Sequence, residues 1–93
     1  MIRIIIIDDE ILARIGIQTF LENKQNIAVQ GTFSSSLDAL VYLREQGPVD
    51  IVITDIVMPG MDGISLTAQI KEHFPNIHII VLSSYDNFAY AKS

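Results

Sequence analysis

The sequence contains no cysteine, which excludes disulfides and thiolate metal sites and fits a reducing compartment. It has no long apolar run: nothing approaches the roughly 20 residues that a membrane-spanning helix needs. The amino terminus carries no basic-then-apolar leader, since Ile2 to Ile7 is too short for one and ends in acids. These absences set the expectation of a cytoplasmic chain without a membrane partner. Basic residues are scarce. Arg3, Arg14, Lys24, Arg44, Lys71 and Lys92 are scattered, and 11 acids against 6 bases leave a formal net charge of -5. Phosphate backbones are gripped by clustered Lys and Arg, so this segment is not expected to contact DNA itself. There is also no linker, repeat or low-complexity tract.

What is present is enough for one small domain, taken as residues 1–93. The chain has 93 residues, and 49% of them are hydrophobic, which argues against disorder. Strand and helix signals alternate, the pattern of a doubly wound α/β fold with a parallel sheet. Ile2 to Ile7 reads as a first strand. Glu10 to Asn23 reads as a helix, with Ile11, Leu12, Ile15, Thr19 and Phe20 near helical spacing and acids in the first turn. Asn26 to Phe33 is a weaker strand, loosened by Gly31. Ser34, Ser35 and Ser36 offer capping hydroxyls to a second helix that stops at Gly47-Pro48. Asp50 to Thr54 is a third strand, and Asp55 to Asp62 is a loop marked by Pro59 and Gly60. Asp62 caps a third helix that runs to Phe74 before Pro75. Ile77 to Leu82 is a fourth strand, and Tyr85 to Ser93 looks like the opening of a fourth helix.

Two of these strands end in acids. Ile4–Ile7 runs into Asp8 and Asp9, and Ile51–Thr54 runs into Asp55. Parallel sheets present their ligand sites at the carboxyl ends of the strands, so the three carboxylates should converge. Gathered carboxylates repel one another unless a proton or cation sits among them, and an all-oxygen donor set suits Mg²⁺ or Ca²⁺. Taken singly, Asp8 and Asp9 equally read as acids at a helix start, and Asp55 as a turn residue. The coincidence of all three favours the cation pocket. Asp62 reads as a helix cap, Glu10 as a solvated first-turn acid, and His73 and His78 as solvated side chains.

Three blocks carry a family resemblance: Ile-Ile-Asp8-Asp9-Glu10, Ile53-Thr54-Asp55-Ile56-Val57-Met58-Pro59-Gly60-Met61-Asp62-Gly63, and Ile80-Val81-Leu82-Ser83-Ser84. In order and spacing they resemble the receiver domain of a bacterial two-component response regulator, across the whole chain. The stretch from Ser83 to Lys92 further resembles receivers joined to AraC-type DNA-binding output domains. The resemblance implies a flavodoxin-like fold with strand order 2-1-3-4. It implies that Asp55 is the phosphoacceptor for a sensor histidine kinase. It also implies that Asp8, Asp9, Asp55 and the Val57 carbonyl hold Mg²⁺, that Ser83 is a switch hydroxyl, and that Pro59 shapes the loop. Such a module switches an output domain and is not classed as an enzyme.

The sequence departs from the family pattern at its end. The fifth strand, the aromatic switch residue before it, the lysine after it and the fifth helix would all lie past Ser93, and Lys92 is no substitute for that lysine. The expectation is a receiver domain that is incomplete at its carboxyl end, reaching DNA only through an output domain outside this sequence. Ile77, Ile79, Ile80, Val81 and Leu82 are then expected to form an unprotected apolar edge. Such an edge invites a homodimer or strand exchange through the fourth strand. Two rival functions remain at this point. One is a receiver-like interaction module that is never phosphorylated. The other is a Mg²⁺-dependent aspartyl phosphohydrolase, although those enzymes resemble Asp-x-Asp after the first strand.

Overall fold

A computed structural model of the chain describes residues 1–82. Ser83 and the expected fourth helix therefore lie outside the described residues. Four strands and three helices alternate: β1 (Ile2–Ile7), α1 (Ile11–Glu22), β2 (Ile27–Phe33), α2 (Ser36–Gln46), β3 (Ile51–Asp55), α3 (Gly63–His73) and β4 (His78–Leu82). All strand pairings are parallel, in the order β2-β1-β3-β4. This is the doubly wound architecture and strand order expected from the sequence.

The strands are apolar because they are covered on both faces. On one face, Ile5, Ile7 and Val52 pack with Ala39 and Leu43 of α2 and Leu66 and Ile70 of α3. On the other, Ile4, Ile6 and Ile53 pack with Ile17 and Leu21 of α1. Ile5, Ile6 and Ile7 are wholly inaccessible to solvent. The register of β2 against β1 shifts between Ile4 and Ile5, where Val29 and Gly31 face consecutive residues and Gln30 is the extra one. That irregularity is the weakness expected around Gly31.

The helix ends follow the capping residues. The Ser35 hydroxyl accepts a hydrogen bond from the Asp38 N–H at 3.2 Å, and the Asp62 carboxylate accepts one from the Ser65 N–H at 2.8 Å. α2 stops at Gly47, whose φ of 91° suits a residue without a β-carbon. α1 differs from expectation in two ways. Glu10 sits in extended geometry at the cap and makes no side-chain capping bond, so the first turn carries no acid. And Ile11, Leu12, Ile15 and Phe20, which set the helical period, face solvent; Leu12 is 80% exposed. β4 also starts later than expected: Ile77 precedes it and is buried in the α2/α3 core. Among the described residues, β4 pairs with β3 alone.

Candidate functional site

Register decides what meets at the carboxyl edge of the sheet. Ile7 of β1 pairs with Thr54 of β3, so the next residues, Asp8 and Asp55, are neighbours. Carboxylate oxygens of Asp8, Asp9 and Asp55 all lie within 4.8 Å of one another. The structure thus brings together the three acids that the sequence placed at strand ends.

Each acid is held differently. Asp8 is nearly buried. Its N–H donates to the Phe33 carbonyl at 3.0 Å, and its Oδ1 accepts from the Glu10 N–H at 2.9 Å. Its carbonyl accepts from Arg14 Nη1 at 2.7 Å. Asp9 is exposed. Asp55 is half-buried, and its Oδ1 accepts from the Ile56 N–H at 2.8 Å. Partial burial pushes the Asp55 carboxyl above its ordinary pKa, and the neighbouring Asp8 and Asp9 charges push the same way. The Ile56 and Val57 N–H groups oppose that rise without cancelling it.

The loop after Asp55 is anchored by alternation. Ile56 and Met58 are buried, while the Val57 side chain between them is half exposed. The Gly63 N–H donates to the Ile56 carbonyl at 2.7 Å. A β-carbon on Gly63 would collide with the Asp55 carbonyl oxygen, so only glycine lets α3 start this close to the acid. The buried Ser36 hydroxyl donates to the Met61 carbonyl at 2.8 Å and ties the start of α2 to the same loop. Gly63, Ser36 and Arg14 received no site role from the sequence. Gly63 had one signal, its place directly after a capping aspartate. Arg14 had another: helical side chains lean toward the helix start, so a long cation one turn into α1 reaches back over the acidic turn.

An all-oxygen set of three carboxylates on one open edge fits a hard divalent cation such as Mg²⁺, which takes few protein ligands and keeps several waters. Asp62 is a cap, as expected, and His73 and His78 are exposed. A cavity of about 330 Å³ lies elsewhere, beside Arg3, Asp50, Phe74 and Ile77 at the opposite edge of the sheet.

A parallel 2-1-3-4 sheet with paired acids after β1 and a single acid ending β3 is the layout of a signalling receiver module. Residues 4–93 match the response regulator receiver domain, and the chain belongs to that family. Among curated proteins it is 37% identical over 91 residues to the response regulator protein VraR of Staphylococcus saprophyticus, a match covering 96% of this chain and 43% of that protein. Among solved structures it resembles two RcsB dimers bound to two parallel DNAs, with a TM-score of 0.86 and 36% identity, covering 98% of this chain and 46% of that one. It also resembles the isolated REC domain of RcsB from Salmonella enterica serovar Typhimurium in the presence of phosphomimetic BeF3-, with a TM-score of 0.82 and 37% identity, covering 98% and 67%. The chain spans 43% of the length of that VraR protein and 40% of VraR of Staphylococcus epidermidis. No helix among the described residues is long and apolar enough to cross a membrane.

Proposed function

We propose that residues 1–93 form a receiver domain that accepts a phosphoryl group on Asp55 from the phosphohistidine of a sensor kinase. A carboxylate oxygen of Asp55 attacks phosphorus, the phosphorus–nitrogen bond breaks, and its electron pair returns to the imidazole. The product is an aspartyl phosphate, which adds about one to two negative charges to the edge. The observation that carries this reading is the convergence of Asp8, Asp9 and Asp55 within 4.8 Å. Asp8, Asp9, Asp55 and the Val57 carbonyl are the groups that would hold Mg²⁺. When bound, that ion supplies the positive charge that offsets repulsion between carboxylate and phosphoryl oxygens. The hydrogen bond from Ile56 orients Asp55, and the bond from Ser36 to Met61 steadies the loop that follows.

Ser83 is the proposed switch hydroxyl, following the new charge and moving its loop. The readout is transcriptional, through an output domain outside this sequence; dimers of RcsB bound to DNA support that role. A cytoplasmic location follows from a kinase partner of that type. The outer side of β4, which pairs with no other strand among the described residues, is the proposed contact for self-association.

The test is incubation with Mg²⁺ and acetyl phosphate followed by intact mass measurement. A phosphate adduct that is absent in Asp55→Asn is the expected result. Acetyl phosphate turnover without a lasting adduct would instead favour the hydrolase, and no adduct despite Mg²⁺ binding would favour the unphosphorylated interaction module.

A further inference from the structure

The three acids are not equally constrained. The Asp8 carboxylate is held by the Glu10 N–H and the Asp55 carboxylate by the Ile56 N–H. The Asp9 carboxylate accepts no hydrogen bond among the described residues, and the residue is exposed. What the fold can fix is the backbone from which it projects. The peptide joining Asp8 to Asp9 is planar, so fixing the Asp8 carbonyl also fixes the Asp9 N–H and the approach to its α-carbon. One side chain does this: Arg14 Nη1 donates to that carbonyl at 2.7 Å. Arg14 is anchored in turn, its own N–H donating to the Glu10 carbonyl at 3.1 Å in the first turn of α1. Among the described residues the Arg14 guanidinium makes no ion pair with Asp8 or Asp9, so it takes no ligand oxygen from either.

We propose that Arg14 is a positioning residue that aims the Asp9 carboxylate into the acidic site by clamping the Asp8 carbonyl. The role rests on the reading of Asp9 as a metal ligand. Two effects of the guanidinium compete. Its charge, beside the acidic turn of Asp8, Asp9 and Glu10, disfavours a metal cation. Its hydrogen bond to the carbonyl organises a ligand that nothing else holds. A charge-assisted bond to a backbone oxygen is directional and short, whereas a charge outside ion-pair range at an open edge is screened by solvent. Positioning therefore dominates, and losing Arg14 weakens metal binding.

The experiment is calorimetric titration of the chain with Mg²⁺ alone, without phosphoryl donor. Arg14→Met keeps the apolar stem and removes the donor; about a tenfold weaker Kd is expected, the scale on which groups that orient metal ligands act. Arg14→Lys, which retains a charged donor, recovers most of the affinity. In an Asp9→Ala background, Arg14→Met has no further effect, because the ligand it aims is gone. A purely structural role would give the same loss in both backgrounds. Parent-like or tighter binding in Arg14→Met, alongside weak binding in Asp9→Ala, overturns the role of Arg14 alone. Unchanged binding in Asp9→Ala removes the ligand reading and the Arg14 role with it. If circular dichroism shows that Arg14→Met is unfolded, Arg14→Gln replaces it, with a smaller loss expected and parent-like affinity overturning the role.

Discussion

At Asp55 burial, like charge and backbone donors act together, and the balance leaves its carboxyl holding a proton more tightly in the fold than in the unfolded chain. The sign of the stability effect follows. Ionised Asp55 costs stability above its folded-state pKa and costs nothing below the ordinary carboxylate value of about 4. In metal-free buffer, Asp55→Asn is expected to melt higher than the parent at pH 7. The gain should shrink as pH falls through the window between those two values. A variant that melts no higher at pH 7, or whose advantage grows in acid, would contradict this electrostatic account. Asp50 is the opposite case. Arg3 beside it holds its carboxyl below the usual value, through a side-chain bond at 3.2 Å. Its contribution is present above the ordinary carboxylate pKa and lost as pH falls through its folded value. The pair is about half exposed, so solvent screens it and little stability rests on it.

Among the elements, α1 shows what periodicity does and does not say. Ile11, Leu12, Ile15 and Phe20 recur at helical spacing, and the segment is a helix. Yet Ile17 and Leu21, on the other side, are the ones that meet the sheet. A helix apolar on more than one side announces its period but not its packed face. The sheet makes that choice, because the chain must leave Asp8 and enter β2 at fixed positions. Leu12→Gln is therefore expected to change stability by about 0.5 kcal/mol or less. Ile17→Ala should cost about 2 kcal/mol, toward the low end for a side chain that is only partly buried. Urea denaturation of both variants checks the assignment, and the reverse order of losses would mean that α1 is rotated. The caps at Ser35 and Asp62, by contrast, were legible in the sequence, because a capping bond spans only three residues.

At the scale of the molecule, β4 is one of the two edge strands among the described residues, and its end is apolar and accessible: Ile80, Val81 and Leu82 are each more than a third exposed. The expected edge is narrower than the sequence suggested, since Ile77 is sealed in the core and Ile79 packs against it. An unpaired parallel strand presents its backbone donors and acceptors to any partner. Self-association that rises with protein concentration is expected in light scattering, and Ile80→Lys should suppress it by placing a charge at the contact. Concentration-independent monomers, or association undiminished by the lysine, would dismiss β4 as the contact.

Local rules sufficed for the order of strands and helices, the caps and the acids that end β1 and β3, because those features are written in short runs of neighbouring residues. The family's strand order supplied the adjacency of β1 and β3 in advance. Tertiary structure decided what depends on residues far apart in sequence. It settled which side of α1 packs, how deeply Ile77 lies, why glycine is needed at position 63 against the Asp55 carbonyl, and that Arg14 reaches the peptide between Asp8 and Asp9. Such contacts follow from register and close approach in space, and no spacing along the chain encodes them.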